Sequence, residues 1–458
     1  MQEGIEQYII PGKRAHLCGI GGISMRSLAE ALLHRGLIVT GSDRSESPAV
    51  DRLRRLGIPV TIGHFADPVY GADCVIRTAA VHDDNPEIIA ARAQGIPVFE
   101  RAQAIGFLMK DYRHAVAVAG THGKTTTTSM TSCIALADGL DPTILIGGVL
   151  PLIGSEHRIG HGDVMIMEAC EYCNSFLHFA PTIGVILNVD ADHMDFFHSL
   201  EEVKQSFRAF AELVPSDGVV IYNADDPNTV DCLKGITRNT LSFGIEQDAD
   251  VQARNIKYEK GLADFTIMYR GEVFAQVRLL VPGKYNVLNA LAAVAAAIAM
   301  GIEPESVVRG LQAFAGTQRR FELKGQYNGA LIYDDYAHHP QELHALFDAV
   351  QDMEHRRVIA AFQPHTYTRT KAFFEDFVRE LSRPDITVLA EIYAAREQNT
   401  EHLSSADLAA RIPGAVYCKN FDEMVAFLKK TAQPGDLILT IGAGELDQVA
   451  ERLARDGE

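Results

Sequence analysis

The sequence predicts an α/β protein of several domains with mostly parallel sheets. The chain has 458 residues, which is more than one ordinary hydrophobic core accommodates, so two or three domains are expected. Three stretches alternate apolar, strand-like runs with amphipathic segments of helix length, the pattern of parallel α/β units. Hydrophobic residues make up 47% and charged residues 22% of the chain, a balance typical of globular proteins.

Each stretch begins with a recognisable strand pattern. In "RAHLCGIGGISMRSLAEALLHRGLIVTGSD", a strand at 15–20 meets a glycine turn, a helix at about 24–35 and a second strand ending at Asp43. The second stretch opens with "HAVAVAG" and the third near "GALIYDDYAHHP".

Two segments separate these stretches, namely "KDYRH" at 110–114 and "GTQRRFELKG" at 316–325. We therefore place three domains at 1–111, 112–316 and 317–458.

The charge of the chain excludes one class of protein. Its net charge is −18, from 42 Lys and Arg against 60 Asp and Glu, which argues against a general nucleic-acid-binding protein because such proteins neutralise phosphates. A phosphorylated small substrate in a locally basic pocket is still compatible with this charge. No apolar run reaches membrane-spanning length and no signal-peptide pattern opens the chain, so we expect a cytoplasmic protein without membrane insertion.

The seven cysteines include one C-x-x-C pair, Cys170 and Cys173. No second pair with metal-ligand spacing follows it. Ordinary reduced thiols are therefore favoured over a zinc or redox site.

The segment "AVAGTHGKTTTTSM" resembles a phosphate-binding loop that has been shortened. Only Thr121 and His122 separate Gly120 from Gly123, where the usual pattern leaves four residues. A strand precedes the loop and a helix at about 125–137 follows it. The backbone amides of 121–125 are then expected to face a phosphate at the positive end of that helix.

The side chains of this loop fit the same interpretation. Lys124 is expected to contact the β- and γ-phosphates and Thr125 to bind Mg²⁺ through its hydroxyl. The alternative is a chance Gly-Lys-Thr at a helix start, which the order of strand, glycines, lysine, hydroxyl and helix disfavours.

Acidic residues follow two further apolar runs. Glu168 ends "GDVMIMEA", and "VILNVDADHMD" ends in a cluster of Asp190, Asp192, His193 and Asp195. The ends of parallel strands face one crevice, where carboxylates and an imidazole can hold a second Mg²⁺. Helix caps and solvated turns are the alternative.

The N-terminal "GIGGIS" is similar to a dinucleotide fingerprint. Gly19 and Gly21 fit it, Ser24 stands at the third glycine position, and Asp43 lies at the distance expected for a ribose-binding acid. This pattern supports a nucleotide-like or pyrophosphate ligand, with a ligand-free structural turn as the alternative.

Cationic residues gather near the second domain junction and at later strand ends. "TQRRF", "YDDYAHHP" and "FQPHTYTRT" contribute Arg319, Arg320, His338, His339, His365 and Arg369, with Asp335 among them. Such cations can neutralise a phosphoryl group or hold a carboxylate. Surface arginines and capped histidines are the alternative.

Taken together, these motifs resemble the Mur ligase family, the ATP-dependent peptide-bond-forming enzymes of cell-wall precursor synthesis. "GTHGKTTT" is the loop form of that family, and "NADDP", "PGKYNVLNALAA", "GTQRRFE" and "YDDYAHHP" match its later motifs in order. The resemblance covers nearly the whole chain. "HLCGIGGISM", "EACEYCNSFLHF", "ADHMDFF" and "EIYAARE" are most similar to the branch that adds L-alanine to UDP-N-acetylmuramate.

The resemblance implies a Rossmann-like UDP-sugar domain, a central P-loop ATPase domain and a C-terminal Rossmann-like domain that receives the amino acid. It implies UDP-N-acetylmuramate and L-alanine as substrates, with ATP and Mg²⁺, and an acyl phosphate intermediate. We expect a monomer or weak homo-oligomer.

The resemblance also implies roles for individual residues. The ATP-binding residues are Gly120, Thr121, His122, Gly123, Lys124, Thr125, Thr126, Asn286, Asn289 and Asp335. The metal ligands are Thr125, Glu168 and His193. The residues at the reacting groups are Lys124, His193, Arg320 near the transferred phosphate, and His338 and Arg369 around the acyl phosphate and alanine. The UDP-sugar residues are Gly19, Gly21, Ser42 and Asp43.

Related ligases place asparagine or serine where His122 stands, which implies that His122 is a spacer rather than an acid or base. Two of the departures from the family pattern bear on the site. Ser24 and Arg26 replace a glycine and a serine in the N-terminal turn. Other Mur ligases carry a carbamylated lysine where this chain has Phe207, and Lys204 one turn earlier is expected at the surface. We therefore expect no carbamate, with a carbamylated Lys204 as the alternative.

Three other functions remain open from the sequence. One is the recycling ligase of the same family, which attaches a whole tripeptide. The others are a nicotinamide-dependent oxidoreductase, based on "GIGGIS" and Asp43, and a nucleotide-binding regulator without turnover.

Overall fold

The computed structural model of the chain describes residues 4–457 apart from Ala79, Asp195, Lys260, Asp352, Arg396 and Glu401. Asp195, one of the candidate acidic residues, therefore lies outside the described residues. The chain forms two compact units. The first extends to Arg254 and includes Thr266–Val277 and Leu288–Ala313, and the second comprises Asn255–Phe265, Arg278–Val287 and the residues from Phe314 onward.

The first sheet has five parallel strands. They are β1 (Arg14–Cys18), β2 (Ile38–Asp43), β3 (Val60–Ile62), β4 (Cys74–Arg77) and β5 (Val98–Glu100). The helices between and after them are α1 (Ile23–His34), α2 (Pro48–Arg55), α3 (Pro86–Ala93) and α4 (Arg101–Met109). The strand order β3-β2-β1-β4-β5 reverses between β1 and β4, which is where Rossmann-like folds bind their ligands.

The second sheet has ten strands. They are β6 (His114–Ala119), β7 (Thr143–Leu150), β8 (Ser155–Arg158), β9 (Val164–Glu168), β10 (Ile183–Ile186), β11 (Val219–Asn223), β12 (Asn239–Gly244), β13 (Val251–Glu259), β14 (Leu262–Tyr269) and β15 (Glu272–Pro282). Their order is β15-β14-β13-β12-β11-β10-β6-β9-β7-β8. The helices that follow or connect them are α5 (Lys124–Ala137), α6 (Leu200–Leu213), α7 (Pro227–Cys232), α8 (Lys284–Met300) and α9 (Pro304–Ala313).

The third sheet has six strands in the second unit. They are β16 (Glu322–Tyr327), β17 (Ala330–Asp335), β18 (Val358–Phe362), β19 (Ile386–Ala390), β20 (Val416–Cys418) and β21 (Leu437–Ile441), ordered β16-β17-β21-β18-β19-β20. Only the β16–β17 pair is antiparallel. Its helices are α10 (Pro340–Gln351), α11 (Tyr367–Ala372), α12 (Phe374–Leu381), α13 (Ser405–Ala409), α14 (Phe421–Thr431) and α15 (Asp447–Arg455). The predicted α/β class with mostly parallel sheets is confirmed.

The central strand β6 sets the position of the candidate site. Residues 115–119 of this strand are fully buried, as expected for a parallel strand covered on both faces. β6 pairs in parallel with β9 on one side and β10 on the other. The segments that follow Ala119, Glu168 and Ile186 therefore leave the same edge of the sheet.

The helix α6 carries both Phe207 and Lys204. The Phe207 side chain is fully buried, with its ring centroid 5.4 Å from that of Phe176. Lys204 is only 15% exposed, and its Nζ lies 3.2 Å from Glu201 and 3.0 Å from Asp231. Lys204 is thus a partly covered surface residue, paired with carboxylates that are themselves 71% and 40% exposed, in agreement with the expected surface position.

No helix in the described part of the chain is both long and apolar enough to cross a membrane.

Candidate active site

The shortened loop joins β6 to α5 with two glycines in conformations that other residues rarely adopt. Gly120 has φ 149° and Gly123, the N-cap of α5, has φ 84°. A Cβ atom at Gly120 would lie 2.8 Å from the Leu187 Cβ, and one at Gly123 would lie 2.5 Å from the Asn289 Oδ1. Both the backbone angle and the available space therefore require glycine at Gly123.

Asn188 holds the shortened loop in place. The Thr121 N–H donates to the Asn188 carbonyl oxygen at 3.1 Å, and the His122 N–H donates to the Asn188 Oδ1 at 2.8 Å. The Asn188 amide in turn donates to the His122 carbonyl oxygen at 3.1 Å. The expectation that all the amides of 121–125 face the phosphate is therefore wrong for Thr121 and His122, because their N–H groups donate hydrogen bonds to Asn188 instead.

The remaining amides of the loop lie at the start of α5. Those of Gly123, Lys124 and Thr125 belong to the N-cap and first turn, where backbone N–H groups have no partner further back in the helix and an anion is favoured. Thr125 is buried and Thr126 partly exposed in this turn.

Lys124 forms an ion pair that the sequence did not predict. Its Nζ lies 3.2 and 3.1 Å from the two carboxylate oxygens of Glu171 and donates to the Thr121 carbonyl oxygen at 3.1 Å. Burial lowers the pKa of Lys124, but the Glu171 carboxylate opposes this effect, and the pKa lies above its usual value. Lys124 therefore carries a positive charge at the loop.

Glu171 also belongs to a group of three candidate metal ligands with Asp192 and His193. One ligand atom from each of them lies within 4.8 Å of the others. The His193 Nε2 is 3.9 Å from Glu171 and 3.8 Å from Asp192, and the ring of Tyr172 lies 4.7 Å from the imidazole. Two carboxylates and an imidazole fit a divalent cation such as Mg²⁺, which takes mainly oxygen ligands in proteins.

Glu168, the other predicted ligand, is directed elsewhere. It ends β9, and its Oε1 accepts the Gly147 N–H at 2.6 Å. The group around His193 does not include it, although the Glu168 charge contributes to raising the pKa of Lys124. Its role as a metal ligand remains a prediction.

The two asparagines of "PGKYNVLNALAA" lie in different units. Asn289 belongs to the first unit and is buried, and its Oδ1 accepts the Thr127 hydroxyl at 3.3 Å. Asn289 thus lies against the phosphate loop, as its proximity to Gly123 also indicates. Asn286 belongs to the second unit, where its amide donates to the Pro282 carbonyl oxygen at 2.6 Å.

In the second unit, Asp335 lies at the end of β17. Its carboxylate accepts the N–H groups of Phe321 at 2.7 Å and Ala337 at 2.8 Å. Burial raises the pKa of Asp335 to about 6, and Arg320 opposes this shift. The Arg320 guanidinium lies 5.2 Å from the ring centre of Tyr336.

His338 and Arg369 lie near a further imidazole, that of His365. The rings of His338 and His365 are 5.7 Å apart, and Arg369 donates to the His365 Nδ1 at 3.2 Å. Burial, then His338 and Arg369, lowers the pKa of His365 to about 4. Burial also lowers the pKa of His338, so both imidazoles are neutral at pH 7.

The N-terminal turn is braced by the end of β2. Gly19, with φ 77°, and Ile20 both donate their N–H groups to the Ser42 carbonyl oxygen at 2.9 Å. The Asp43 Oδ2 accepts the Gly21 N–H at 2.7 Å. The helix α1 begins at Ile23 after the N-cap Gly22, so the missing third glycine does not prevent the turn.

Arg26, which with Ser24 departs from the family pattern in the N-terminal turn, forms an ion pair with Glu156. Its guanidinium is therefore directed at β8 of the neighbouring sheet.

Sequence reasoning missed Glu171, Asn188 and a buried carboxylate, Glu87, which contacts Ser42. Glu171 lies three residues after Glu168, and Asn188 ends the apolar run that precedes the acidic cluster. These two positions could have identified Glu171 and Asn188, since a polar residue after a buried strand is a candidate for the site. Glu87 stands in the first turn of a helix, where an acidic residue is ordinary, so nothing local marked it.

Three family descriptions match successive parts of the chain. "Mur ligase family, catalytic domain" matches residues 14–113, "Mur ligase middle domain" residues 118–297, and "Mur ligase, glutamate ligase domain" residues 319–444. The domain boundaries predicted from the sequence remain predictions.

Similar proteins cover nearly the whole chain. The UDP-N-acetylmuramate–L-alanine ligase of Caldanaerobacter subterraneus subsp. tengcongensis is 47% identical over 451 residues, covering 97% of this chain and 98% of that protein. The ligase of the same name from Clostridium novyi is 45% identical, covering 96% of each.

Solved structures agree with these relatives. The crystal structure of a UDP-N-acetylmuramate-alanine ligase from Thermotoga maritima matches with a TM-score of 0.80 at 27% identity, covering 97% of this chain and 98% of that chain. A murein peptide ligase from Psychrobacter arcticus matches with a TM-score of 0.73 at 26% identity, covering 96% of this chain and 98% of that chain. The chain belongs to the Mur ligase family.

Proposed function

We propose that this chain is the ATP-dependent ligase that joins L-alanine to the lactyl carboxylate of UDP-N-acetylmuramate in cell-wall precursor synthesis. The observation that carries the proposal is the arrangement around Lys124. A charged lysine at the start of α5 lies beside Glu171, which is grouped with Asp192 and His193. The relatives that are 44–47% identical over nearly the full chain bear the name of this activity.

The reaction must activate a poor acyl donor. A carboxylate oxygen of the sugar nucleotide attacks the γ-phosphorus of ATP, the bond to the ADP oxygen breaks, and an acyl phosphate forms. Lys124 and the first-turn amides of α5 stabilise the phosphate charge during this step, which is mainly a matter of positioning and electrostatics. Because phosphate oxygens compete with the Glu171 carboxylate for Lys124, we infer that the lysine exchanges one for the other when ATP binds.

The residues that would hold Mg²⁺ are the group of Glu171, Asp192 and His193, together with Thr125 and, as the family resemblance implies, Glu168. A bound Mg²⁺ would neutralise phosphate charge there. The positive charge of Lys124 and the acidic group lie on the same loop edge of the sheet, as such a role requires.

The second unit supplies groups for the amino acid. The ammonium group of alanine must first lose a proton to an acceptor. The neutral amine then attacks the acyl carbonyl, and phosphate leaves. The guanidinium of Arg369 can bind the alanine carboxylate. Because burial lowers the pKa of both His338 and His365, neither imidazole holds a proton at pH 7, and we assign neither as the acceptor of that proton.

The alternatives have less support. Among solved structures, a murein peptide ligase matches with a TM-score of 0.73 at 26% identity and an L-alanine ligase with 0.80 at 27%, and L-alanine ligases are the relatives at 44–47% identity. An oxidoreductase leaves Lys124 and the metal group without a role. The cytoplasmic location and the monomeric or weakly oligomeric state remain proposals.

The test is phosphate release from Mg-ATP and UDP-N-acetylmuramate in the presence of L-alanine, the tripeptide or no amine. We expect release that depends on L-alanine and is lost in Lys124→Ala. Lys110→Ala is the matched control, because Lys110 is exposed after the end of α4. Release with the tripeptide alone would assign the recycling function, and no release with any acceptor would refute an enzymatic role.

A further inference from the structure

A cavity of about 770 Å³ opens in the first unit. Its lining residues come from α1, α2, the last turns of α5, the segment that leads through β8 and the end of α9, and all of them belong to this unit. The volume lies within the range of about 300–1,000 Å³ that is typical of small-molecule sites. None of the residues assigned above to ATP, to the metal or to the sugar nucleotide lines this cavity.

The cavity lies at the carboxyl ends of two helices that begin at ligand-binding turns. α5 begins at Lys124 in the phosphate loop, and its later residues Leu136 and Ala137 line the cavity. At 1.5 Å per residue, Leu136 lies about 18 Å along the helix from Lys124. α1 begins after the N-terminal glycine turn, and its last residue, His34, lines the cavity. A ligand in this cavity therefore contacts both helices at a distance from both turns.

The cavity carries a local positive charge, although the whole chain has a net charge of −18. Arg52 and Arg158 line it, with Glu30 as the one carboxylate among its described lining residues. The Arg52 Nε and Nη2 lie 3.3 and 3.4 Å from Glu30, a loose pair that leaves 45% of the Arg52 side chain exposed. Arg158 pairs with Asp141, and 34% of its side chain is exposed. Both guanidinium groups therefore have surface left for an anion, which arginine can bind through two parallel hydrogen bonds.

The carboxyl ends of α1 and α5 oppose an anion, because helices carry a partial negative charge there. This effect is confined to the last turn and is weaker than a charge-assisted hydrogen bond to a guanidinium group. The arginines therefore decide the sign of the charge that the cavity favours.

The wall beside Arg52 contains two polar side chains that are almost fully buried. Glu30 is 8% exposed and His157 is 3% exposed. The His157 Nε2 lies 3.1 Å from the Glu30 Oε1, but the two atoms are not aligned as a hydrogen bond, and neither forms an aligned hydrogen bond with another described residue. Buried polar atoms of this kind are uncommon in folded proteins. A polar group of a ligand at this wall would supply the missing partner.

Much of the remaining lining is apolar. It includes Leu136, Ile153, Ile159 and Leu152, the last of which is 49% exposed. Small-molecule sites combine such apolar walls with a few charged groups that fix the orientation of the ligand. The lining therefore fits a ligand with an apolar body and one anionic group, rather than a free inorganic ion.

We propose that this cavity is a separate ligand site, which binds the charged group of a small organic anion through its arginines and packs the apolar body against Leu136 and Leu152. The site shares no residue with those assigned to the proposed function. The inference therefore goes beyond that function and does not depend on it.

The test is fluorescence titration of the full chain with 1-anilinonaphthalene-8-sulfonate, a probe that has an aromatic body and one sulfonate. Saturating ADP and UDP are added so that nucleotide sites do not take up the probe. Loss of a guanidinium group removes charge-assisted hydrogen bonds to the sulfonate, so we expect about 10-fold weaker binding in Arg52→Gln and in Arg158→Gln. Arg55→Gln is the matched control, because Arg55 is exposed on α2 and does not line the cavity.

The apolar wall is tested by Leu152→Asp. This change removes an apolar contact and adds a carboxylate that repels the sulfonate, so we expect binding to weaken by about 10-fold or more. Leu56→Asp is its control, because Leu56 is 44% exposed and does not line the cavity. Both leucines are accessible to solvent, so the fold is expected to tolerate either change.

An uncharged analogue separates the two contributions. N-phenyl-1-naphthylamine lacks the sulfonate, so its affinity should be equal in wild type and Arg52→Gln but lower in Leu152→Asp. Absence of saturable sulfonate binding to wild type, or equal affinity in wild type and both arginine variants, would overturn the inference. An equal loss of both probes in Arg52→Gln would also overturn it, because the arginine would then support the shape of the cavity instead of binding the anion.

Discussion

Replacing Gly123 by alanine tests whether the shortened loop must approach Asn289 as closely as the structure shows. The new Cβ would lie 2.5 Å from the Asn289 Oδ1, whereas ordinary contact begins at about 3.4 Å. The loop or Asn289 must therefore move by about 0.9 Å. Displacement of reacting groups by about 1 Å can reduce turnover by about 100-fold, so we expect a fall of this size in kcat/KM for ATP.

Gly139 provides a control that separates space from backbone strain. Gly139 has the same φ of 84°, but no atom lies within 4 Å of the Cβ it would gain. An alanine in the left-handed region costs roughly 1–2 kcal/mol at either position. Both variants should therefore lose at least this much stability, Gly123→Ala more because of its close contact, while only Gly123→Ala should lose activity.

The assay is phosphate release at varied ATP concentration, with thermal unfolding measured alongside it. A kcat/KM for Gly123→Ala within about threefold of Gly139→Ala would refute the reasoning, because the close contact would then carry no functional consequence.

Three further results are expected. Glu171→Gln removes a candidate metal ligand and should raise the Mg²⁺ concentration for half-maximal phosphate release by about 10- to 100-fold; an unchanged Mg²⁺ dependence would remove Glu171 from the metal group. His122→Asn should keep turnover within about tenfold, because His122 is held through its backbone, whereas a loss beyond about 100-fold would identify an acid or base. The pKa of His365 is lowered from 6.5 to about 4 in the folded chain. Between those pH values the unfolded chain therefore binds a proton at His365 that the folded chain does not, so the free energy of unfolding decreases as the pH falls. Calorimetry should therefore show a smaller decrease in Tm from pH 7 to pH 5 for His365→Gln than for wild type, and equal decreases would contradict the buried neutral state of His365.

Much of the fold could be predicted from local sequence. The strand at 114–119 and the helix that follows the phosphate loop lie where the apolar pattern and the glycines indicate. The predicted first strand and helix differ from β1 and α1 by one or two residues. Such boundaries depend on caps and packing, which the pattern alone does not resolve.

The site itself could be predicted only in part. Lys124 lies at the start of α5 as expected, and His193 lies beside two carboxylates. Glu171, however, joins His193 and Asp192 in this group, which the sequence did not predict, while the metal role of Glu168 stays a prediction. The two glutamates are three residues apart. Glu168 is the last residue of β9, whereas Glu171 lies in the irregular segment after it and pairs with Lys124. No periodic pattern applies in such a segment, so the sequence could not rank them.

The sequence by itself determined the strands, the helices and the residue types at the strand ends, because these depend on neighbours along the chain. Tertiary structure alone decided which polar groups meet. Asn188 accepts a hydrogen bond from the His122 N–H, 66 residues away in sequence. Glu171 pairs with Lys124 at a separation of 47 residues, and Glu87 accepts the Ser42 hydroxyl at a separation of 45. Each of these contacts exists because parallel strands bring distant segments to one edge, where a buried polar group must find a partner to offset its lost hydration.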